Sequence, residues 1–527
     1  MKIVFIMRHS GFVRNFEPAL RLLCERGHRV HVAFLGEDPH WLADTPDLAQ
    51  RLCDQFPGFS RGSAPAGDDA WKELGRELRG RLDYLRYLTP RYRAARKLRA
   101  RAARDVSTAV LRKTERGAWG THAGRSLLSA WYRLLERSIP VNDQIDAFFA
   151  EHRPDLLLVS PLIEPGSPQR EYIRAAQMRR ITTVLCVGSW DNLTNKGLIH
   201  GRLDLVTVWN EYMRREAIEL HGVPPERIAV TGAVQFDDWF TWKPNPREMF
   251  CARVGLDSTQ PYLLYLCSSK FVAPDEATFV RTWVNQLRQS SSAGLRNLAV
   301  LIRPHPQNEH QWRRVDPADL PHCTIYPKAG AVPIDAASKA DYFDSIYHSA
   351  SVVGINTTAE IESAIVGRSV YTLLAPEFQD TQGGTLHFHY LKDVGGGVVH
   401  VAHDFPEHLA QLDAGLRGKS NDEERCRRFV ELFVRPHGID KTATSRLVGE
   451  IESVAARPAV DDRPSPVLVR LLRPLLARHA AEAVRDAATR LETKIARRTL
   501  RERHAKERRR KHREARRNRR AEAGETA

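Results

Sequence analysis

The chain has 527 residues, 42% of them hydrophobic and 27% charged, enough for two folded domains plus attachments and too apolar for a disordered chain. Its net charge of +16 is unevenly spread. Residues 494–527 and residues 72–116 each carry 15 Lys/Arg against 5 Asp/Glu, so the rest of the chain sums to −4, which excludes a uniformly basic nucleic-acid binder. No apolar run is long enough for a membrane span, and the apolar start reaches Arg8-His9 too soon for a signal-peptide core. The seven cysteines (24, 53, 186, 251, 267, 323 and 426) are scattered and form no C-x-x-C pair, which points to a reducing, cytoplasmic setting without a disulfide or zinc framework.

In chain order, Lys2–Met7 reads as a buried parallel strand, Glu17–Arg26 as a helix closed by Gly27-His28, and Val30–Leu35 as the next strand. This βαβ grammar implies a right-handed parallel sheet. It returns with a strand at Pro154–Ser160, a helix at Gln169–Met178 and a strand at Thr182–Val187, then with a strand at Leu205–Trp209, a helix at Glu211–His221 and a strand at Ile228–Gly232. After Lys243-Pro244-Asn245-Pro246 the pattern restarts: strands at Tyr262–Cys267, Leu298–Arg303, Ser351–Ile355 and Val370–Leu374, with a helix at Ala359–Val366. Two doubly wound α/β units result, 1–240 and 245–456. Residues 70–135 read as a helical, Arg-rich insertion in the first unit. Residues 457–466 are a Pro-rich linker, 467–476 an amphipathic cationic segment, and the remainder a basic tail.

Open α/β sheets bind ligands beyond the carboxyl ends of their strands, so the segments just after strands are the candidate site. Ser268, Ser269 and Lys270 could hold phosphates, or form an ordinary turn. Arg303 ends a strand, and His305 follows it between two prolines, in a rigid loop that aims the imidazole across a cleft or simply packs it. Asn356, Thr357 and Thr358 lie between a strand and a helix start, where unpaired backbone N–H groups favour a phosphate; a plain N-cap is the alternative. Glu360 and Glu362 project about 200° apart on that helix, so one at most faces the ligand. The loop 377–388 offers Gln382, Thr385 and His387. In the first unit, Ser189–Gly197 also follows a strand, and either Asp191 or His9 could deprotonate a hydroxyl as a general base, or instead cap a turn. Asp237-Asp238 and Asp341…Asp344 look like metal carboxylates only superficially.

Four stretches carry a resemblance. The opening βαβ with Arg26-Gly27-His28 resembles the acceptor-side half of GT-B glycosyltransferases. Gly232-Ala233-Val234-Gln235-Phe236-Asp237 is similar to the Gly-x-x-x-Phe-Asp element before the crossover in Kdo-transferase-like and UDP-N-acetylglucosamine 2-epimerase-like proteins. Arg303-Pro304-His305-Pro306 resembles the His-Pro element of CDP-glycerol glycerophosphotransferases and capsule polysaccharide transferases, and Asn356–Glu362 with Gly367 matches the Glu-x4-Gly spacing of GT-B donor sites. The resemblance spans about residues 1–450, poorly over 50–150, and the Gly-Gly-His loop common in the first half is replaced by Arg8-His9-Ser10-Gly11.

The resemblance implies two Rossmann-like domains facing a cleft, with a nucleotide-activated sugar or CDP-polyol donor in the second, held by Ser268–Lys270, Arg303, His305, Asn356–Thr358, Glu362 and the 377–388 loop. Glu362 would take the ribose hydroxyls. It implies metal-independent, cofactor-free transfer of a sugar or polyol phosphate to a glycan or lipid-linked acceptor, with 2-epimerase chemistry as the rival. For the basic attachments, a solvated helix, RNA phosphate contacts by 494–520 and an anionic membrane surface are the readings. The amphipathic 467–476 segment favours the membrane, placing the enzyme at the inner membrane face. A non-catalytic RNA- or membrane-binding protein is the remaining alternative.

Overall fold

The computed structural model describes residues 1–489 except 40–41, 43–46, 105, 419–421 and 462–464, together with residue 492. The basic tail 494–527 lies outside the described residues.

Two parallel sheets form the body. The first contains β1 (Lys2–Met7), β2 (Arg29–Phe34), β3 (Phe59–Ser63), β4 (Leu156–Ser160), β5 (Thr182–Cys186), β6 (Leu205–Val208) and β7 (Ile228–Val230), ordered 3-2-1-4-5-6-7. The second contains β8 (Tyr262–Leu266), β9 (Ala299–Arg303), β10 (Cys323–Ile325), β11 (Ser351–Gly354), β12 (Val370–Leu373) and β13 (Val399–Ala402), ordered 10-9-8-11-12-13. Ile3 pairs with Val30 on one side and Leu156 on the other, and Leu264 with Leu301 and Val352, so the central strands are buried on both faces. That double burial is why they read as continuous apolar runs. In each sheet the strand order reverses once, between β1 and β4 and between β8 and β11, and both reversals open onto one cleft. These are two Rossmann-like domains facing one cleft.

The strands absent from the sequence reading are β3, β10 and β13. All three are sheet edges paired on one side only. β3 is Phe-Ser-Arg-Gly-Ser, with only Phe59 buried, so it lacks the apolar signature of an inner strand.

The helices Ala70–Tyr87, Arg96–Ala103, Thr108–Glu115 and His122–Arg137 make up the Arg-rich insertion. Much of its charge is internal. Arg79 is fully buried and donates to Glu136 (3.1 Å) and Glu171 (2.8 Å), while Arg174 of the first domain donates to Glu136 at 2.6 Å. Burial pushes the Glu136 carboxyl up, but Arg170, Arg174 and Arg79 outweigh it and hold the group far below the carboxylate range. Arg86 donates to the carbonyls of Gly197 (2.9 Å) and Thr194 (3.1 Å), tying the insertion to the loop after β5.

The domain boundary at 456 differs from the observed chain path. Helix Ala443–Ala455 leaves the second domain and packs Leu447, Val448, Ile451 and Val454 into the core that holds Ile3, Phe5, Leu20 and Leu23. An amphipathic helix does not announce which sheet it covers. Asp237 fixes this return: it accepts from Arg435 Nη2 (2.8 Å) and from the backbone N–H groups of Ala443 (3.1 Å) and Thr444 (2.7 Å). Gly232 has φ +87°, and a Cβ there would meet the Ala443 Cβ at 2.9 Å, so glycine answers both a left-handed backbone and a close approach. The Gly-x-x-x-Phe-Asp element is thus a clamp between the two crossovers.

The helix over 466–489 buries Leu476, Ala480 and Ala483 against Leu74, Leu78, Leu128 and Tyr132 of the insertion. Of the amphipathic segment 467–476, Leu476 and the partly buried Leu472 are thus packed within the molecule, while Val467, Leu471 and Leu475 stay exposed. No helix among the described residues is long and apolar enough to cross a membrane.

Candidate functional site

The cleft holds two communicating lobes. The larger, about 370 Å³, is bounded by Arg14 and Gln235 of the first domain, the Arg303–Gln307 loop, and an aromatic wall. That wall is Trp239, Trp242, Tyr342 and Phe343: the Trp239 ring lies 5.8 Å from Tyr342 at 90° and 5.4 Å from Phe343. Such a wall offers stacking faces to a planar ring. At its foot Glu362 accepts the Tyr342 hydroxyl at 2.6 Å. Burial pushes the Glu362 carboxyl up to about 7, opposed by the Tyr342 hydrogen bond and by Arg14 across the cleft. Arg303 is held by Asp341 (2.9 Å), with its guanidinium 5.2 Å from the Tyr342 ring centre. Lys339 bridges the cleft mouth to Glu17 of the first domain at 3.3 Å.

The second lobe, about 300 Å³, lies between the loop after β5 and the loops after β8 and β11, and Arg101 of the insertion reaches into it. Asp191 accepts from the Ser189 hydroxyl (2.7 Å) and the Asn192 amide (3.3 Å), which orient its carboxylate. Burial raises this group, but Lys196, His387 and the Ser189 bond prevail and keep it below the ordinary aspartate value. Asn356 donates to the Thr381 carbonyl (2.7 Å) and to His387 Nε2 (3.3 Å). With Nε2 accepting, the neutral His387 ring carries its proton on Nδ1, a buried donor without a partner. Burial lowers this imidazole to about 4 despite Asp191, so it stays neutral at physiological pH.

His305, Gln307, Thr357 and Thr358 line both lobes and form the boundary between them. The Gln307 N–H donates to His305 Nδ1 at 3.1 Å, which leaves the proton on Nε2. Burial, with Arg14 adding to it, lowers His305 to about 4, so it acts as a neutral donor. Trp190, from the first domain, donates its indole N–H to Thr358 Oγ1 at 3.1 Å and sets its ring edge-on against His387, 4.7 Å away. This joins the two domains across the floor of the cleft.

Of the residues singled out from sequence, Asp191, Ser269, Arg303, His305, Asn356, Thr357, Thr358, Glu362 and His387 line this cleft. The others do not. Ser268 is fully buried, its N–H taken by Glu276 (2.8 Å) and its carbonyl by Asn308 (3.2 Å). Lys270 points to solvent. Gln382 is buried because its amide meets three acceptors, the carbonyls of Ile355 (2.9 Å) and Leu373 (3.1 Å) and the Thr372 hydroxyl (2.9 Å). Thr385 bonds the Gln382 carbonyl at 2.8 Å. These two latch the loop that presents His387. His9 packs on Phe12, outside both lobes. Glu360 and Glu362 do diverge: Glu360 turns under β11, fully buried, and burial raises it to about 8. The metal-like carboxylates are spoken for as well, Asp341 by Arg303 and Arg253, and Asp344 by Asn245.

Arg14, Trp190, Trp239, Trp242, Tyr342 and Phe343 also line the cleft, though no motif in the sequence marks them. The usable signal was Trp239 and Trp242 beside the Pro-rich crossover. The partners they meet lie about 100 residues on.

No family model matches the sequence, and no curated protein matches it. Solved structures similar to the chain include a glycosyltransferase from Rickettsia africae, with 10% identity and a TM-score of 0.49 over 86% of this chain and 99% of that one. Another is a UDP-GlcNAc 2-epimerase from Methanocaldococcus jannaschii, with 11% identity and a TM-score of 0.47 over 86% and 99%. A third is WaaG, a glycosyltransferase involved in lipopolysaccharide biosynthesis, with 12% identity and a TM-score of 0.44 over 86% and 100%.

Proposed function

We propose that the chain is a GT-B-type transferase that moves a sugar or polyol phosphate from a nucleotide-activated donor to a surface-glycan or lipid-linked acceptor. One observation carries this reading: an aromatic lobe ending in Glu362 meets a polar lobe holding Asp191 across a boundary of neutral His305, Thr357 and Thr358. The base would stack in the aromatic lobe and the ribose hydroxyls would donate to Glu362. His305 Nε2–H and the Thr357–Thr358 turn would meet the diphosphate. The transferred group would then project into the second lobe, where Asp191 accepts a proton from the acceptor hydroxyl. Cavities of a few hundred Å³ suit a ligand of this size.

Calorimetry with UDP, CDP, CMP, GDP and their sugar or glycerol conjugates, with and without EDTA, tests this. One nucleotide is expected to bind at micromolar strength, unchanged by EDTA. Glu362→Ala should weaken it about 10–100-fold, the worth of one charge-assisted hydrogen bond, and His305→Ala should weaken it too. Absence of binding by every nucleotide would refute the reading. Conversion of a bound UDP-sugar to its epimer without any acceptor would replace transfer by epimerisation.

The enzyme would work from the cytoplasmic side against an anionic membrane. Support comes from the helix over 466–489, whose exposed Val467, Leu471 and Leu475 stand among Arg470, Arg473 and Arg478. Each cation near such a surface contributes about 1 kcal/mol. The full chain should float with phosphatidylglycerol vesicles and not with neutral ones, and deletion of 457–527 should abolish flotation while nucleotide binding persists. Flotation unchanged by the deletion would exclude this segment as the anchor.

A further inference from the structure

The second lobe has an electrostatic character that transfer chemistry does not itself require. Lys196 comes from the loop after β5 and Arg101 from the insertion, and both face the cavity. Among the described residues the Lys196 ammonium meets no hydrogen-bond or ion-pair partner. Arg101 is fixed in place: its guanidinium lies 4.9 Å from the Phe271 ring centre and one nitrogen donates to the Asn195 carbonyl. On the same helix Lys97 sits 4.6 Å from that ring and donates to the Phe271 carbonyl. The Arg96–Ala103 helix is thereby pinned to the second domain through Phe271 and to the first through Asn195, roofing the lobe.

Beneath that roof, three buried polar atoms of the described residues have no partner: the Nδ1–H of His387 and the Oδ1 atoms of Asn195 and Asn356. Among the described residues Asp191 is the one carboxylate lining the lobe, and His305 and His387 are neutral, so this lining carries a net positive charge. Two cations and an N–H donor suit the oxygens of an anion, whereas Asp191 and Asn195 Oδ1 suit hydroxyl donors.

We infer that the insertion makes this lobe selective for an acidic sugar, one bearing a carboxylate or phosphate beside free hydroxyls, held by Arg101 and Lys196. This deepens the transferase reading and rests on it only for the assignment of the lobe to the sugar side; the test does not need the nucleotide.

Glucose 6-phosphate, glucuronate and glucose are titrated into the full chain by saturation-transfer NMR, alone and with a saturating nucleoside diphosphate. The two acidic sugars are expected to bind at least tenfold more tightly than glucose. Lys196→Gln and Arg101→Gln should each cut that preference at least threefold without changing affinity for the nucleoside diphosphate. Lys196→Gln breaks no hydrogen bond or ion pair among the described residues, so it keeps the test sound if Arg101→Gln perturbs the roof. Equal binding of acidic and neutral sugars, or a preference that survives both variants, overturns the inference. Displacement of the acidic sugars by the nucleoside diphosphate also overturns it, because the cations would then serve the donor's own phosphates. A failure of the nucleotide reading appears separately, as absent nucleotide binding with the sugar preference intact.

Discussion

Asp191→Asn is expected to lower turnover about 10²–10⁴-fold, the range general-base catalysis supplies, while nucleoside diphosphate affinity stays within about twofold. The substitution keeps the shape, so the Ser189 and Asn192 contacts to Oδ1 have an oxygen to return to. It removes the negative charge that would accept the acceptor's proton. The pH profile supplies a second check. Against the upward push of burial, Lys196, His387 and the Ser189 bond hold Asp191 below its ordinary value, so its carboxylate persists to lower pH than that of an ordinary aspartate. An acid limb near pH 6–7 in the wild type would therefore report another group, and the raised Glu362 is the one in the cleft that titrates there. Steady-state kinetics across pH 4–9 separate the two: the Asp191→Asn variant should be slow at every pH. Turnover within about threefold of wild type would remove Asp191 from the chemistry.

The largest loss of stability is expected from Asp237→Ala, about 3–5 kcal/mol, read as a lower midpoint in urea unfolding. The change strips the counter-charge from buried Arg435 and unpairs the N–H groups of Ala443 and Thr444 together. Removing one member of a buried pair costs far more than the pair is worth, because the other charge stays where water cannot reach it. Asp238 is the natural control. It is exposed and meets Lys339 at 3.5 Å, so Asp238→Ala should cost less than about 1 kcal/mol. Comparable effects from the two would show that the clamp is not what anchors the return helix.

The parts of this molecule legible in the sequence are those that physics writes locally. Inner parallel strands are apolar on both faces, so β1, β8 and β11 stand out as runs, and the loop after each strand must face the cleft. That logic finds His305, Thr357, Thr358, Glu362 and Asp191. It cannot see features that depend on distant partners. Gln382 and Ser268 resemble ligand contacts in composition, but three acceptors from β11 and β12 claim the first and Glu276 the second. The aromatic wall is assembled from Trp239, Trp242, Tyr342 and Phe343, segments brought together only by the crossover. The buried arginines of the insertion read as outward-facing charge, available to a membrane, because Glu136 and Glu171 lie about 60 and 90 residues away from Arg79.

The return of helix Ala443–Ala455 to the first sheet has a consequence for synthesis. Roughly 200 residues separate β7 from that helix, which at about 5–20 residues per second is roughly 10–40 s of translation. Through that interval the face bearing Leu20 and Leu23 has emerged from the ribosome without its cover. The domain begun first is thus among the last completed, and a nascent chain halted near residue 440 should stay protease-sensitive in both halves, while one extended past 455 should become resistant. Moving the Ala443–Ala455 segment to precede Met1 in a permuted gene would let the first domain close its core as it emerges.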